Sequence, residues 1–261
     1  MKILRTNLND IDAKFKAIED VEIYFVADVH LGDPLCDIKL LKETIKYINT
    51  GENRFCILNG DIFNTAIKTS VSFDYKGLSP MEELQLAVEL FKPLADSGKI
   101  LGVTSGNHEN RISKETSLDM TRLFCIELGI EDKYCGTAGY LFLHFGEKEV
   151  GRKAPMCYTL YFTHGYGGGT TVGSKANKLT KLSGVILADV IAMSHLHQKL
   201  KTEDSIFVPE YGNQVVKQKE IHYVMNNSFL DYGGYGEQMG LKPTTKALTK
   251  VTLNGKKRVI D

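Results

Sequence analysis

The sequence lacks an excess of charge of either sign. Its 261 residues carry 32 basic and 32 acidic side chains. The overall field of the protein therefore does not favour a nucleic-acid partner, and any surface that binds phosphate must be local. No long apolar run is present, and Met1–Arg5 does not lead into the apolar segment of a signal peptide. We expect neither a secretion signal nor a membrane span.

Cysteine is scarce and its spacing excludes common motifs. The five cysteines are odd in number, and no two of them form a C-x-x-C pair. Cys56 and Cys157 lie in apolar runs that resemble strands. This usage is typical of reduced thiols in a cytoplasmic protein and argues against a disulfide framework.

The chain does contain enough apolar residues, 43%, for a sizeable core in one α/β domain over residues 1–261. In its first half, apolar runs alternate with segments of helical period. Predicted strands cover residues 22–27, 55–58 and 99–103, and predicted helices cover residues 36–50, 80–96 and 113–128. Ser79 and Pro80 are suited to begin the second helix. This order predicts a parallel sheet with right-handed crossovers.

The remaining segments have a different character. We expect residues 1–20 to form a peripheral arm or a short helix. The second half is mostly strands, predicted over residues 140–145, 157–163, 185–193, 205–208, 222–229 and 247–253, with one helix over residues 174–182. Two irregular stretches, 65–79 and 231–246, are predicted as loops that cap the site and contact substrate, with ordinary surface loops as the alternative.

Five short blocks of polar residues follow predicted strands. They are Asp28-Val29-His30, Gly60-Asp61, Gly106-Asn107-His108-Glu109, Thr163-His164-Gly165 and His195-Leu196-His197. In an open α/β sheet the ligand site lies beyond the carboxyl ends of the strands, so we expect these blocks to converge on one crevice. Each block taken alone could be a turn or a helix cap. Their order and context together favour a metal site.

The ligand types in these blocks predict two cations. Asp28 and Asp61 would repel each other if buried side by side, and a pair of divalent ions removes that penalty. Asp61 could bridge the ions, with Asp28, His30 and one late histidine on the first ion. Asn107, His164 and the other late histidine would complete the second, so His195 and His197 take one ion each.

Such a pair would account for hydrolysis of a phosphate ester. Two ions roughly 3.5–4 Å apart lower the pKa of a shared water, and the resulting hydroxide would attack phosphorus in line. Manganese is the expected metal, and Fe, Zn, Co, Ni and Mg are alternatives because mixed nitrogen and oxygen ligands accept them.

Three further residues are candidates for catalysis. His108 would donate a proton to the leaving oxygen or stabilise charge on a phosphate oxygen. Glu109 would hold the orientation of His108, and Arg111 would clamp a phosphate oxygen. His144 and His222 are predicted to be ordinary strand residues.

The blocks resemble the calcineurin-like metallophosphoesterases, whose motifs run D-x-H, G-D-x-x-(D/N), G-N-H-(D/E), H and (G)-H-x-H. The resemblance implies a four-layer α/β/β/α sandwich, and homodimers are frequent in the superfamily. It also assigns the two late histidines. His197 would join Asp28, His30 and Asp61 on the first metal, while His195 would join Asn107 and His164 on the second, with Asp61 shared.

The sequence departs from the family pattern in places. Ser194 replaces the usual glycine before the last histidine pair. Thr65 and Ser105 stand where the Ser/Thr protein phosphatases of the superfamily carry arginines, so that branch is disfavoured. Asn110-Arg111 and Ser228-Phe229-Leu230 are similar to small phage or bacterial members with nuclease-like activity.

Three functions follow, in order of preference. The first is a metal-dependent phosphodiesterase on nucleic acid or a nucleotide. A stripe of lysines on a predicted helix could hold a phosphate backbone, although a solvated helix face would look the same. Loop aromatics could stack bases. These residues are Lys175, Lys178 and Lys181, and Phe73, Tyr75, Tyr232 and Tyr235. The second is a phosphomonoesterase on nucleotides or a phosphoprotein. The third, a non-catalytic scaffold, is disfavoured because no ligand is missing.

Overall fold

The protein contains two β-sheets with helices outside them. The computed structural model describes residues 1–67, 77–148, 155–238, 240, 242–243, 245–246 and 248–261. The strands are β1 (Lys2–Asn7), β2 (Asp20–Val26), β3 (Arg54–Asn59), β4 (Ile100–Thr104), β5 (Ala138–Lys148), β6 (Pro155–Thr163), β7 (Val190–Met193), β8 (Leu200–Glu210), β9 (Val215–Met225) and β10 (Thr249–Asn254). The helices are α1 (Leu8–Ile11), α2 (Ile38–Thr50), α3 (Pro80–Asp96), α4 (Glu109–Thr116), α5 (Met120–Glu127), α6 (Val172–Thr180) and α7 (Gly234–Gln238).

Four strands form one sheet, in the order β10-β2-β3-β4, and six form the other, in the order β1-β5-β6-β7-β9-β8. β2, β3 and β4 run parallel, as the sequence predicts, while β10 is antiparallel to β2. In the larger sheet β1 is parallel to β5, and β6, β7 and β9 run parallel to one another. The β5–β6 and β8–β9 pairs are antiparallel.

Alternation along β2 shows how the layers are built. Ile23 and Phe25 face a core between the two sheets, together with Phe162 of β6. Tyr24 and Val26 face a second core under α2, α3 and α5. A third core lies on the other face of the larger sheet, against α6. Successive residues of a strand point to opposite faces of its sheet, so a strand such as β2 is buried on both faces. The predicted four-layer α/β/β/α arrangement is confirmed.

Helix α3 begins as its sequence predicts. The Ser79 hydroxyl and the Glu82 carboxylate form a reciprocal capping box, and Pro80 occupies the first helical position. Residues further along α3 pack against the sheet, including the fully buried Phe91 and Leu94. The helix therefore has a fixed start, which matters because its first turn lies beside the candidate site.

Two predictions for the first half were wrong. Lys2–Asn7 is a strand rather than part of a peripheral arm: it pairs with β5 and buries Leu4 and Thr6. Leu8–Ile11 forms the short helix that was expected, and Ala13–Lys16 adds one 3-10 turn. The helix predicted over 113–128 is two helices. Ser117 has a φ of +61°, which ends α4, and Asp119 then caps α5.

The second half also differs at its boundaries. Of the strand predicted over 185–193, only Val190–Met193 is formed, because Val185 and Leu187 are apolar but exposed. β8 is longer than predicted at both ends, and β9 begins earlier than predicted, because polar residues continue their backbone pairing. β9 ends at Met225, so residues 226–229 of the predicted strand lie beyond it. Within the predicted loop 231–246 lies α7. Residues 68–76 of the other predicted loop, with Phe73 and Tyr75, lie outside the described residues.

Candidate metal centre

The carboxyl ends of five strands meet at one place. Asp28 follows β2, Asp61 follows β3, Asn107 follows β4, His164 follows β6 and His195 follows β7. The loops after β2 and β3 continue to pair beyond the strands. The Asp28 amide donates to the Gly60 carbonyl at 3.1 Å, and the His30 amide donates to the Asp61 carbonyl at 3.0 Å. These bonds fix the first two blocks against each other.

Five candidate ligands have backbone conformations in the left-handed region, which non-glycine residues adopt at some cost. The φ angles are +51° at Asp28, +51° at His30, +49° at Asp61, +71° at His195 and +46° at His197. Such conformations persist where the surroundings impose them and are concentrated at functional sites. Here they turn the side chains of successive strand ends towards one another.

The side chains form three overlapping groups that could hold a metal ion. In each group the potential ligand atoms lie within 4.8 Å of one another. The groups are Asp28, His30 and His197; His30, Asp61 and His108; and Asp61, His164 and His195. Asn107 extends the third group, because its Oδ1 lies 3.0 Å from His164 Nε2. All seven residues predicted as metal ligands are therefore brought together, along with His108.

The two carboxylates at the centre are almost completely buried. Asp28 accepts the His195 amide at 3.1 Å, and its Oδ1 lies 3.3 Å from His197 Nε2. Asp61 accepts the His108 amide at 2.9 Å, and its Oδ2 lies 3.1 Å from His164 Nε2. In the described part of the chain, neither carboxylate pairs with a lysine or an arginine.

The negative charge of Asp61 is therefore balanced by the surrounding imidazoles. Burial raises the pKa of Asp61, but the surrounding histidines, led by His164, hold that pKa well below its usual value. Burial lowers the pKa of His164, and the Asp61 carboxylate outweighs this and raises it to about 10. A protonated imidazole thus occupies the place of positive charge beside Asp61, which is the place that a cation would take.

Hydrogen bonds to backbone carbonyls set which histidine nitrogen faces the centre. His164 Nδ1 lies 3.0 Å from the Asn59 carbonyl oxygen, and His195 Nε2 lies 2.8 Å from the Gly167 carbonyl oxygen. Because a carbonyl only accepts, each of these nitrogens carries a proton. His195 Nδ1 is then left to bind a ligand, and His164 Nε2 could bind one once a cation displaces its proton.

His108 lies at the edge of this cluster, in contact with Arg111. Its Nδ1 lies 2.9 Å from the Asn64 carbonyl oxygen, and its Nε2 lies 3.0 Å from Arg111 Nη2. Since a guanidinium only donates, Nε2 is the accepting nitrogen and Nδ1 holds the proton. Burial is the main cause that lowers the pKa of His108, and Arg111 contributes to it. Arg111 also donates to the Asn64 carbonyl at 3.3 Å.

The role predicted for Glu109 was wrong. Its carboxylate accepts the backbone amides of Gly106 at 2.7 Å, Phe63 at 3.1 Å and Asp61 at 3.2 Å. The residue is buried beneath the site, where burial and the charge of Asp61 raise its pKa to about 7. Glu109 therefore holds the backbone of two blocks rather than the ring of His108. Its helix begins at Glu109 itself, which turns the side chain inward.

A buried polar network beneath the ligands was missed from the sequence. Asn59 Nδ2 donates to the Thr163 carbonyl and to Ser194 Oγ, both at 2.8 Å, and Asn59 Oδ1 accepts the Thr104 hydroxyl at 2.9 Å. Asn226 Nδ2 also donates to Ser194 Oγ, at 3.0 Å. The Ser194 hydroxyl thus joins the ends of three strands. The only sequence signals were polar residues at strand ends.

Asp28 is supported from the opposite side by the segment after β9. The Ser228 hydroxyl and the Phe229 amide both donate to the Asp28 carbonyl oxygen, at 2.9 and 3.1 Å. These two hydrogen bonds fix the backbone of a candidate ligand. Tyr232, one of the predicted stacking residues, is exposed beyond this segment.

Comparisons with known proteins leave the assignment to the geometry. No family model and no curated protein matches the chain. Among solved structures, a conserved uncharacterized protein and predicted phosphoesterase from Streptococcus pneumoniae is 15% identical. The match covers 91% of this chain and 85% of that one, with a TM-score of 0.35. Likeness at this level carries no weight for function. No helix in the described ranges is long and apolar enough to cross a membrane.

Proposed function

We propose that this protein is a metal-dependent phosphoesterase that hydrolyses a phosphodiester in nucleic acid or a nucleotide. The observation that carries the proposal is the convergence of two buried aspartates and five histidines in overlapping groups that share His30 and Asp61. Sharing of this kind suits two neighbouring cations better than one.

The residues fit a pair of divalent cations. Two buried carboxylates without a lysine or arginine partner among the described residues need positive charge from another source. His30 Nε2 and His197 Nε2 lie 3.2 Å apart, a separation at which two nitrogens can face one ion. The mixed nitrogen and oxygen donors suit manganese and the neighbouring first-row metals.

The assignment of ligands follows the groups. Asp28, His30 and His197 would hold one cation, and Asn107, His164 and His195 the other, with Asp61 shared between them. When bound, the cations would activate water and stabilise charge on the phosphoryl oxygens.

The chain itself would position the substrate and manage one proton. Arg111 donates to His108, so a phosphate oxygen that arrives at this edge meets a guanidinium and an imidazole together. His108 also lies close to Asp61, one of the proposed metal ligands: His108 Nε2 is 4.0 Å from Asp61 Oδ2. In this proposal His108 stabilises charge on a phosphate oxygen. When that phosphate draws Arg111 away, His108 Nε2 would take up a proton from water and pass it to the leaving oxygen. Glu109 and Asn59 form hydrogen bonds that hold the backbone segments carrying the candidate ligands.

The test is a panel of phosphate esters with Mn²⁺, comparing bis-p-nitrophenyl phosphate with p-nitrophenyl phosphate. We expect hydrolysis of the diester, loss of turnover in His108→Ala with retention of bound metal, and normal turnover in His222→Ala as a matched control. Cleavage of monoesters alone would contradict the diesterase. Absence of bound metal in the wild-type protein would contradict the whole proposal.

A further inference from the structure

A glycine-rich loop forms one wall beside the proposed metal centre. It begins with Gly165 directly after His164 and includes Gly167, Gly168 and Gly169 before α6. His195 Nε2 donates to the carbonyl oxygen of Gly167 at 2.8 Å. The loop is therefore attached to one of the candidate ligands, and whatever lies on it also lies beside the centre.

Two lysines of α6 lie against this loop. A β-carbon at position 167 would collide with Lys178 Nζ, and one at position 169 would lie 3.3 Å from Lys175 Cγ. Glycine at these positions thus leaves room for the lysine side chains. Through Gly167, ordinary covalent geometry places the Lys178 ammonium within roughly 9 Å of the His195 ring.

The helix that carries these lysines is anchored. Leu179 of α6 is fully buried in the core outside the larger sheet. This contact fixes the rotation of the helix, and therefore which of its residues point away from that core. Lys175 and Lys178 are three residues apart and share a face. Lys181, three residues further, follows the end of α6 and is exposed.

Neither ammonium is neutralised within the described chain. No carboxylate there pairs with Lys175 or Lys178, although both side chains are partly buried. By contrast, Lys246 lies 2.7 Å from Asp37, and Lys219 lies 3.2 Å from Asp189. Burial also lowers the pKa of Lys175, which indicates that its ammonium would gain from a negative partner. Both ammonium groups are therefore available to an anion that binds beside the proposed metal centre.

An aromatic ring stands at the start of the same loop. Tyr166 follows His164 by two residues, and 59% of its surface is exposed. An exposed ring between a ligand and a pair of lysines matches the arrangement that binds single-stranded nucleic acid, where bases stack and phosphates meet cations.

We propose that Lys178, assisted by Lys175, holds a non-scissile phosphate of a single-stranded oligonucleotide while the adjacent phosphodiester occupies the metal centre. Tyr166 stacks on the base between the two phosphates. This inference rests on the proposed phosphodiesterase function and specifies its substrate. A substrate with one phosphate would contact the metal centre but not Lys178. A chain of phosphates would contact the metal centre and Lys178 at the same time.

The kinetic test compares an octathymidylate with bis-p-nitrophenyl phosphate, both with Mn²⁺. In Lys178→Gln the ratio of kcat/KM for the oligonucleotide to that for the small diester should fall about tenfold, through KM, since one charged hydrogen bond is lost. The slope of log kcat/KM against log salt should weaken by about 0.7, the value for one phosphate of a single strand. Lys178→Arg should restore most of the ratio. Lys181→Gln is the matched control and should behave as wild type.

A binding test without turnover separates this inference from the proposed function. Fluorescence anisotropy of a labelled octathymidylate in EDTA should show about tenfold weaker binding for Lys178→Gln. Tyr166→Ala should weaken binding of this oligonucleotide but not of an abasic one. Weaker binding with no hydrolysis of any ester would support the subsite and refute the proposed activity. Equal binding by wild type and Lys178→Gln, or an equal loss in Lys181→Gln, would overturn the subsite.

Discussion

Replacing Glu83 by glutamine should make the protein more resistant to unfolding above neutral pH. Glu83 lies in the first turn of α3 and has no exposed surface. Its carboxyl oxygens accept the amide of Thr65 at 2.9 and 3.1 Å, and Thr65 has a left-handed φ of +41°. Burial raises the pKa of Glu83, the Thr65 amide offsets part of the effect and the charge of Glu109 adds to it, so the pKa reaches about 8.

The sign and size of the effect follow from linkage. The pKa rises from 4.5 in the unfolded chain to about 8 in the folded protein, so the folded protein binds the proton more tightly. The stabilisation from the protonated form is complete below pH 4.5 and is lost as the pH rises through 8. A tenfold change in proton affinity corresponds to about 1.4 kcal/mol, so the rise in pKa gives a ceiling of about 5 kcal/mol. A high effective dielectric in real interiors makes about 2–3 kcal/mol the expected loss.

The assay is urea unfolding between pH 5 and pH 9 in EDTA, so that metal binding does not contribute. Glu109 titrates in the same range, and its charge acts on Glu83. The difference between Glu83→Gln and wild type therefore reports on Glu83 together with its interaction with Glu109. We expect that difference to grow with pH in favour of the variant. Glu82→Gln, the exposed neighbour, is the control and should show no such growth. A difference that stays constant with pH would refute a protonated, buried Glu83.

The remaining predictions concern the polar network and the proposed metals. Asn59→Leu should lower the free energy of unfolding by about 2–4 kcal/mol, because it leaves buried partners unpaired; urea unfolding at pH 7 measures this, and a loss below 1 kcal/mol would contradict the network. Ser194→Gly removes the oxygen that accepts two amide groups and should cost about 1–3 kcal/mol by the same assay; a neutral result would contradict the role of the hydroxyl. Saturating Mn²⁺ should stabilise the EDTA-treated protein by about 3 kcal/mol at a hundredfold excess over Kd. Asp61→Asn should abolish the corresponding rise in Tm, and a rise of wild-type size in that variant would exclude Asp61 as a ligand.

The parts of the fold that were predicted depend on local patterns. β2 and β3 are short apolar runs, and α3 has a cap, a proline and a helical period within its own sequence. Lys2–Asn7 lacks such a pattern: its burial comes from pairing with β5, which lies far away in sequence. The break between α4 and α5 depends on the left-handed backbone angle of Ser117. A serine does not require that angle, so the break could not be predicted from the residue type.

For the candidate site, too, the sequence predicted some features and missed others. Asp28, His30 and their counterparts carry a recognisable chemistry, so their convergence could be expected from the sequence. The contacts beneath them depend on distances that appear only after folding. Glu109 was placed near His108 by sequence adjacency, yet the direction of its side chain at the start of α4 gives it three backbone amides instead.

The Asn59–Ser194–Asn226 network has a consequence for how the protein responds to strain. Asn59 belongs to the smaller sheet, whereas Ser194 and Asn226 follow strands of the larger one. The candidate ligands are divided along the same boundary, so neither sheet could assemble the proposed metal centre by itself. Any sliding of one sheet over the other would pull the two halves of the ligand set apart. Affinity for metal should therefore report on the alignment of the whole sandwich, even when the perturbation lies far from any ligand.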